Sequence, residues 1–517
     1  MKPTNKFKIA VIFVSWSAVI TMLFFEGRVT GWTPRHAMHS YEAFLTGELN
    51  LDNLNVQRTP GYYAFGAIIV AVLGLSQYEF LFLPMMLIPN VILLTIFVKI
   101  FSKSYLFSAT IVAAMLIAGT DGVGELYLSG SRMANWLLYS VIILLLILSR
   151  NKNFKRRVSF LLSVLGIVIM YLSYNRSAEL LLFFSILLVV LISIKQWSYI
   201  RTENVILANI GSKWLLSPLI IVGAFQVFFH RFLDSTLAWL ISVFGRDYTG
   251  IDLLLQVWFD QSDYPSAVQE LFISMPPSIT YISLVRYTFI LISLLAFSYI
   301  CLKKIYINRY LNEIETILVS FTAAMATFAI IRLTMGHVAV VYAYLPGVLV
   351  TCYLYGNSEN MKKYGKVIKI YCIIFAVSIL ILSSMFFLAH YHHGIVDKEQ
   401  QDYLNVEAPS DWHQKYSANE VTSDELTSNL LNYQSKGEIQ TDRMSQENVL
   451  QVINEKDIVD EKYFVINNNP NELRLGRWQK IQSWSYSEER INKNKGLNRI
   501  YDSGAINTYT TSKHEAA

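Results

Sequence analysis

The residues best suited to chemistry lie close together in one polar stretch, residues 26–63, of a 517-residue chain. The stretch holds four carboxylates, three arginines and two histidines, namely Glu26, Glu42, Glu48, Asp52, Arg28, Arg35, Arg58, His36 and His39. It closes with Thr59-Pro60-Gly61-Tyr62-Tyr63. A simple tether seldom concentrates His, Arg and carboxylates, so we interpret residues 26–60 as an active-site loop. A carboxylate near basic groups there would act as a general base.

Aromatic residues share the same stretch and allow two interpretations. Trp32, Tyr41, Tyr62 and Tyr63 would either stack on sugar rings or anchor the loop at a membrane interface. Interfacial anchoring is the default for Trp and Tyr beside apolar segments.

The composition indicates a membrane protein. Hydrophobic residues make up 53% of the chain and charged residues only 16%, whereas soluble domains carry about 25% charged residues. The net charge of +5 comes from basic residues in short loops between apolar runs, so no nucleic-acid partner is implied. The three cysteines, Cys301, Cys352 and Cys372, fall in or beside apolar runs and show neither a disulfide framework nor metal-ligand spacing.

Apolar segments of helical length alternate with short polar loops until about residue 390. They lie near 8–25, 61–75, 79–101, 105–119, 133–149, 158–173, 178–194, 213–230, 279–302, 314–334, 337–355 and 367–389. We therefore divide the chain into a transmembrane domain, 1–389, and a soluble C-terminal domain, 390–517. The first segment resembles a signal peptide, but it is long and lacks a small-residue cleavage site, so we expect a retained helix.

Basic clusters set the expected orientation, because Lys and Arg favour cytoplasmic loops. With all clusters inside, the N-terminus is cytoplasmic, and loops 26–60 and 231–278 and the C-terminal domain are external. If every apolar segment crossed the membrane, the number of crossings would be one too many for this orientation. The orientation holds if 61–75, which is short for a span, is a re-entrant or tilted half-span. This predicts about 11 crossings plus that half-span. A misassigned basic cluster is the alternative explanation.

Two further regions are predicted to be external. Residues 231–278 mix apolar residues at helical spacing with charges, as in interfacial helices. They form either a lid on the bundle or a surface that meets a lipid-linked substrate. In the tail, 420–457 has a loose helical pattern, 462–466 reads as a strand, and 498–509 reads as a hairpin, which predicts a small α+β domain. His390, His392 and His393 favour interfacial anchoring over metal binding.

Other ionisable residues fall at the predicted external ends of apolar segments, where such residues are costly and usually functional. They are Asp121, Glu125, Arg132, Arg176, Glu179, Arg286, Arg332 and His337. Together with the first loop they could line one external cavity, in which arginines would bind a phosphate or pyrophosphate. For each arginine alone, a snorkelling or ion-pairing role is the simpler interpretation.

Short motifs in the same regions resemble a known superfamily. Pro34-Arg35-His36-Ala37, Tyr41-Glu42-Ala43-Phe44-Leu45, Thr46-Gly47-Glu48-Leu49 and Arg58-Thr59-Pro60-Gly61-Tyr62-Tyr63 are similar to the first external loop of GT-C glycosyltransferases. The most similar branch contains the protein O-mannosyltransferases and aminoarabinose transferases, the family 39-like enzymes. Asn175-Arg176-Ser177-Ala178-Glu179, and Arg332 followed by Pro346, resemble later motifs of that branch.

The resemblance implies a sugar transferase with one departure from the family pattern. The family's catalytic Asp-Glu pair falls on Trp32-Thr33, and His36 stands where Tyr is usual. The base would then be Glu26, Glu42 or Asp52, with Glu26, at the membrane exit of the first helix, preferred. The family's second acid would correspond to Asp121 or Glu125.

The resemblance therefore implies a mainly α-helical, polytopic membrane bundle of GT-C type in the cell membrane, with a small external α+β domain. It implies inverting transfer of a sugar from a polyprenyl-phosphate carrier to a protein, lipid or glycan acceptor at the outer face, in cell-envelope glycosylation. Arg58, Arg132, Arg176 and Arg332 would surround the carrier phosphate, and Arg35, His36, His39, Tyr62, Tyr63, Glu179 and His337 would complete the substrate site.

No cofactor or metal is expected beyond the lipid-linked donor, and the partners are the donor, the acceptor and membrane lipids. Three alternatives stay open: a lipid-linked glycan polymerase or ligase, a non-catalytic GT-C relative that binds lipid-linked sugar, and a transporter. A transporter is disfavoured, because the sequence shows neither paired repeats nor broken apolar helices.

Overall fold

The computed structural model is mainly helical, with a small mixed sheet near the end of the chain. It describes residues 3–25, 33–51, 53, 56, 59–82, 85–118, 130–150, 155–173, 180–181, 183–188, 190–191, 277–308, 311–334, 341–361, 364–392, 399–416, 420–423, 425–436, 438–443, 463–467, 472–476, 479–482, 497–503 and 506–511. The predicted interfacial segment 231–278 therefore lies almost entirely outside the described residues.

Twelve α-helices with defined bounds are described before the tail domain, and residues 183–188 are helical as well. The twelve are α1 Pro3–Phe25, α2 Thr33–Thr46, α3 Pro60–Leu73, α4 Gln77–Phe82, α5 Leu87–Ser102, α6 Tyr105–Ala118, α7 Gly130–Arg150, α8 Lys155–Ser173, α9 Pro277–Asn308, α10 Glu313–Thr334, α11 Val341–Asn357 and α12 Gly365–His392. Most follow the apolar segments of the sequence, because a helix satisfies its own backbone hydrogen bonds where water is absent.

Two helices of the described chain are long and apolar enough to cross a membrane. They contain Tyr281–Ile307, with a mean hydropathy of 1.9, and Gly365–Phe386, with a mean hydropathy of 2.4. Only 28% of each window is buried, so most of its apolar surface faces outward. Large apolar surfaces of this kind are stable only when lipid or protein covers them, which favours a membrane protein.

Basic side chains mark one end of the helical bundle, which we call the basic end. Lys99 lies over the ring of Tyr105, 4.3 Å from its centroid, and Phe7 packs edge-on against the same ring at 5.3 Å. Lys103 donates to Asn357 Oδ1 at 2.9 Å, and Lys304 pairs with Glu315. The start of α1, the end of α5 and the start of α6 therefore lie together at this end.

The direction of the helices follows from these contacts. Since α1 begins and α5 finishes at the basic end, the chain between them starts and finishes at the opposite end, which we call the distal end. Helices α10 and α12 start near the basic end and α9 and α11 finish there, as the Lys304–Glu315 and Lys369–Glu359 pairs show. The chain leaves α12 at the distal end and enters the tail domain.

The tail domain is built on a five-stranded sheet with order β2-β1-β3-β7-β6. Its elements are α13 Glu399–Tyr416, β1 Glu420–Ser423, α14 Glu425–Gln434, β2 Gln440–Arg443, β3 Tyr463–Asn467, β6 Leu497–Asp502 and β7 Ile506–Thr511, with a separate hairpin of β4 Glu472–Gly476 and β5 Gln479–Gln482. Strands β1, β2 and β3 are parallel, and β7 is antiparallel to β3 and β6.

Two sequence predictions for the tail are confirmed and one is wrong. The strand expected at 462–466 is β3, and the hairpin expected at 498–509 is β6 and β7. The helical pattern assigned to 420–457 holds only for α14, because β1 and β2 flank that helix in a β-α-β unit, and residues 444–457 lie outside the described residues. Four-residue strands are too short to show alternation, so the helical period of α14 dominated the pattern.

Candidate functional site at the distal end

The first loop contains an amphipathic helix, α2, that packs onto α3 and onto α14 of the tail domain. Pro34 lies in its first turn, where a proline costs no hydrogen bond. Its apolar residues Ala37, Met38 and Ala43 are buried. Gly47 ends the helix with a φ of +74°, a left-handed conformation that glycine adopts without strain. The sequence thus fixes a short surface helix in the middle of the predicted active-site loop.

A close approach between α2 and α3 holds this helix in place. A Cβ atom built on Gly66 of α3 would lie 2.4 Å from Ser40 Oγ of α2, so only glycine fits there. The ring of Tyr63 packs edge-on against His39 at a centroid distance of 5.5 Å, and Tyr62 packs against Tyr63 at 5.0 Å. Helix α2 is therefore set tightly on the start of α3.

The central feature of the site is a histidine and carboxylate pair on α2. His39 Nδ1 lies 3.4 Å from Glu42 Oε2, three residues along the same helix. The side chain of His39 is 4% exposed and that of Glu42 is 30% exposed. A carboxylate that reaches solvent while a buried imidazole holds one of its oxygens is suited to accepting a proton from a bound hydroxyl.

The tail domain contacts the site region through a reciprocal pair of hydrogen bonds. Tyr433 of α14 donates its hydroxyl to the carbonyl of Gln77 at 2.6 Å, and the side-chain amide of Gln77 donates to the Tyr433 carbonyl. Gln77 begins α4, directly after α3. The tail domain therefore holds both α2 and the turn after α3.

A second polar feature lies in the distal half of α9. Arg286 is 2% exposed and its guanidinium carbon lies 4.7–5.5 Å from the ring centroids of Tyr287, Tyr344 and Phe386. Its Nε and Nη1 are buried and have no hydrogen-bond partner among the residues that the structure describes. These rings belong to α9, α11 and α12, a different group of helices from those that hold α2.

The remaining predicted site residues are placed only in part. Arg35 and His36 lie in the first turn of α2, Arg132 in the first turn of α7 and Arg332 in the last turn of α10; for these four only the backbone is described. Glu26, Asp52, Arg58, Asp121, Glu125, Arg176, Glu179 and His337 lie outside the described residues. The interpretation that all of them share one cavity stays a prediction.

Tyr62 and Tyr63 are described and buried, with 1% and 0% exposure. Their position under α2 fits a role in packing the loop helix, and direct contact of their rings with a sugar stays a prediction. In the described part of the chain, no group of three His, Cys, Asp or Glu side chains is arranged to hold a metal ion.

Sequence reasoning named His39 and Glu42 separately and did not pair them, although their i, i+3 spacing on a helix predicts a contact. It did not identify Gln77 and Tyr433, because nothing local signals a contact between residues 356 positions apart. Arg286 was signalled by its position within an apolar segment, but its aromatic surroundings come from helices distant in sequence.

No protein-family model matches the chain, and no curated protein matches it significantly. Among solved structures, the fold is similar to that of ArnT from Cupriavidus metallidurans bound to undecaprenyl phosphate, with 9% identity, a TM-score of 0.47 and coverage of 96% of this chain and 97% of that chain. It is also similar to the oligosaccharyltransferase of Archaeoglobus fulgidus tethered with an acceptor peptide, with 9% identity, a TM-score of 0.48 and coverage of 98% of this chain and 74% of that chain.

Proposed function

We propose that this chain is a membrane glycosyltransferase that transfers a sugar from a polyprenyl-phosphate carrier to an acceptor at the outer face of the cell membrane. The observation that carries the proposal is the placement of Glu42 and His39. The first-loop helix holds this pair at the distal end of an apolar bundle, on α3 and against the tail domain. An acid/base group at the rim of a membrane bundle suits a reaction between a lipid-borne donor and an acceptor outside the membrane.

The orientation follows from charge. Lysines gather at the basic end, which we assign to the cytoplasm by the positive-inside rule. The distal end, with α2 and the tail domain, is then external. Since the chain between α1 and α5 starts and finishes at that end, we assign α3 as a helix that does not complete a crossing, in agreement with the half-span expected at 61–75.

The proposed reaction is a single displacement at the anomeric carbon of the donor sugar. Glu42 takes the proton of an acceptor hydroxyl or amine as the acceptor atom bonds to the anomeric carbon. The bond from that carbon to the phosphate oxygen breaks, and the polyprenyl phosphate leaves with the electron pair. Arg58, Arg132, Arg176 and Arg332 are the arginines that we propose for the phosphate charge, which planar guanidinium groups bind well.

His39 is proposed as the positioning residue for this base. With its proton on Nδ1, the imidazole donates to Glu42 Oε2 and fixes the carboxylate, as a second group commonly orients a catalytic base. The packing of Tyr63 on the imidazole fixes the ring in turn. Glu26 and Asp52 stay alternative bases within the same loop.

The test is transfer of radiolabelled sugar from a polyprenyl-phosphate-sugar pool in membranes. Glu42→Gln is expected to lower the transfer rate by about 10²–10⁴-fold, the usual contribution of a general base. Glu48→Gln, an exposed acid just beyond the same helix, is the matched control and is expected to transfer like the wild type. If Glu42→Gln transfers normally while Glu26→Gln or Asp52→Asn does not, Glu42 is excluded as the base.

One observation favours a second candidate function, a non-catalytic relative that binds lipid-linked sugar. The acids that are catalytic in the similar family are replaced here by Trp32 and Thr33. Absence of wild-type transfer with every donor pool, together with retained binding of polyprenyl phosphate, would establish this alternative. A polymerase or ligase would differ in its acceptor, which competition with defined acceptors would reveal.

A further inference from the structure

A row of aromatic rings lies on the surface of the tail domain, where α13 meets the sheet. The ring of Trp412 on α13 lies 5.0 Å from that of Tyr501 on β6, with a tilt of 31°, and 5.9 Å from that of Tyr416, with a tilt of 41°. Trp412 and Tyr501 are half-buried, whereas Tyr416 is 71% exposed. The three rings form a shallow patch, which we call the aromatic platform.

Local structure places these rings beside one another. Trp412 and Tyr416 are four residues apart on α13, a spacing that puts two side chains on the same face of a helix. The pairing of β6 with β7 shifts register just before Tyr501, so that Tyr501 stands opposite Thr508, the residue whose hydroxyl lies 3.1 Å from His413 of α13. Such irregularities commonly re-aim a side chain at the edge of a sheet. Here the shift turns Tyr501 toward α13.

Packing of the domain accounts for two of the rings but not for the third. Trp412 and Tyr501 join α13 to β6, and their mutual contact contributes to the stability of the domain. Tyr416 does not serve this purpose, because most of its side chain is exposed. An open ring that continues a row of half-buried rings is suited to a ligand with an apolar face.

Charged groups border the aromatic platform. Asp411 precedes Trp412 and Asp502 follows Tyr501, and both carboxylates are exposed. Burial raises the pKa of the Tyr501 hydroxyl, and the negative charges of Asp411 and Asp502 raise it further. Both carboxylates therefore lie within electrostatic range of that hydroxyl. Arg499 Nη1 lies 3.1 Å from Asp502 Oδ2, so donors as well as acceptors are present at this edge.

This combination suits a neutral sugar better than an ion. A pyranose ring has apolar C–H faces that pack on aromatic rings and hydroxyl groups at its edge that donate to carboxylates. Two carboxylates disfavour an anionic ligand or an anionic lipid surface. Ammonium ligands are bound in cages of aromatic faces, whereas the rings here are tilted by only 31° and 41° and form an open row.

We propose that the aromatic platform binds a neutral glycan, with a sugar ring stacked on Tyr416 and Trp412. Hydroxyl groups of the glycan donate to Asp411 and Asp502. The same domain contacts the first-loop helix α2 through α14, which suits a glycan that serves as the acceptor. The role of this glycan as acceptor rests on the proposed function, but its binding does not.

The test uses the full chain in phosphatidylcholine nanodiscs and neutral hexasaccharides of glucose, mannose, galactose and N-acetylglucosamine, each titrated alone. Binding is followed by saturation-transfer NMR, which also shows which sugar protons lie against the protein. At least one probe is expected to bind, with the C–H protons of one ring face saturated most strongly. Failure of every probe to bind overturns the proposal.

Tyr416→Ala is the main variant, because an exposed ring can be removed without opening the core. It is expected to weaken glycan binding roughly tenfold, as truncation of an aromatic anchor does. Tyr416→Phe keeps the ring and is expected to bind like the wild type. Tyr306→Ala, which removes an 88% exposed tyrosine at the basic end, is the matched control and is expected to bind normally. Unchanged affinity in a folded Tyr416→Ala variant overturns the proposal.

A second variant covers the case in which Tyr416→Ala does not fold. Asp411→Ala keeps all three rings but removes one exposed carboxylate, and it is expected to weaken glycan binding several-fold, as the loss of a hydrogen bond to a charged group predicts. Unchanged affinity in Asp411→Ala then counts against the site. Tetramethylammonium is titrated in parallel. Tighter binding of this cation than of any glycan, with loss in the platform variant, would assign the platform to a cation and overturn the proposal.

Separate outcomes distinguish this site from the proposed reaction. Glu42→Gln is expected to keep wild-type glycan affinity while it loses sugar transfer, so loss of transfer alone concerns the reaction. When a bound glycan also accepts sugar, Tyr416→Ala is expected to raise its KM roughly tenfold and to leave kcat near the wild-type value. Glycan binding without transfer from any donor supports the platform and counts against the proposed function. Transfer without glycan binding does the reverse.

Discussion

Acid is expected to destabilise the tail domain through one buried histidine, His413 on α13. Its ring is fully buried, its Nε2 lies 3.1 Å from Thr508 Oγ1 of β7, and Trp412 packs edge-on against it at 5.0 Å. Burial lowers the pKa of His413 from 6.5 to about 4. The folded domain therefore holds this imidazole neutral at a pH where the unfolded chain would protonate it.

The sign and size of the effect follow from that pKa. Between pH 6.5 and pH 4 the unfolded state binds more protons than the folded state, so stability falls as the pH falls. At 1.36 kcal/mol per pKa unit, the loss is about 2 kcal/mol at pH 5 and about 3 kcal/mol below pH 4. A loss of about 2 kcal/mol lowers the unfolding midpoint of a domain of roughly 100 residues by on the order of 10 °C.

The assay is thermal unfolding of the full chain followed by tryptophan fluorescence at pH 7.5 and pH 5. His413→Gln is expected to lower the midpoint at pH 7.5 but to remove most of the difference between the two pH values. Lys415→Gln, an exposed substitution on the same helix, is expected to keep the wild-type pH dependence. An equally large pH difference in His413→Gln would refute the assignment of the acid sensitivity to this imidazole.

Three other substitutions test packing, one at the basic end of the bundle and two around the site. Glu315→Ala removes a buried carboxylate that accepts hydrogen bonds at the basic end; it is expected to cost about 2 kcal/mol, and an unchanged thermal midpoint would contradict that role. Gly66→Ala is expected to lower the free energy of unfolding by about 1–3 kcal/mol through overpacking against Ser40, and to lower the rate of sugar transfer. The double variant with Ser40→Gly should recover both stability and transfer. If it recovers neither, the clash does not involve Ser40. Tyr433→Phe removes the hydroxyl that donates to Gln77 and is expected to speed amide exchange in α4 and α14, which unchanged exchange would disprove.

Much of the helical architecture could be predicted from the sequence. Apolar runs follow directly from the requirement that a helix in lipid satisfies its own backbone, and α6, α9 and α12 lie where those runs predict them. The single run expected at 79–101 is instead divided between α4 and α5. The amphipathic pattern of residues 33–46, with Gly47 at its end, is a signal for α2 that our interpretation of 26–60 as a loop did not use. The hairpin of β6 and β7 was found because its turn residues lie between two alternating segments.

The contacts that define the site could not be predicted in the same way. The pairing of Gln77 with Tyr433 depends on how the tail domain lies on the bundle, and sequence spacing contains no information on that arrangement. The aromatic surroundings of Arg286 combine α9, α11 and α12 and require the packing of all three helices. For Tyr62 and Tyr63 the sequence identified the residues but not their role, since an aromatic pair beside a polar loop suits sugar stacking and helix packing equally.

The central claim is that Glu42, held by His39 at the distal end, is the base of a sugar transfer reaction. The most direct measurement is the rate of radiolabelled sugar transfer by the purified chain in nanodiscs, compared among wild type, Glu42→Gln, Glu48→Gln and His39→Gln. The account predicts that Glu42→Gln loses transfer by about 10²–10⁴-fold, that His39→Gln loses less, and that Glu48→Gln keeps it. Wild-type transfer by a correctly folded Glu42→Gln variant would contradict the account.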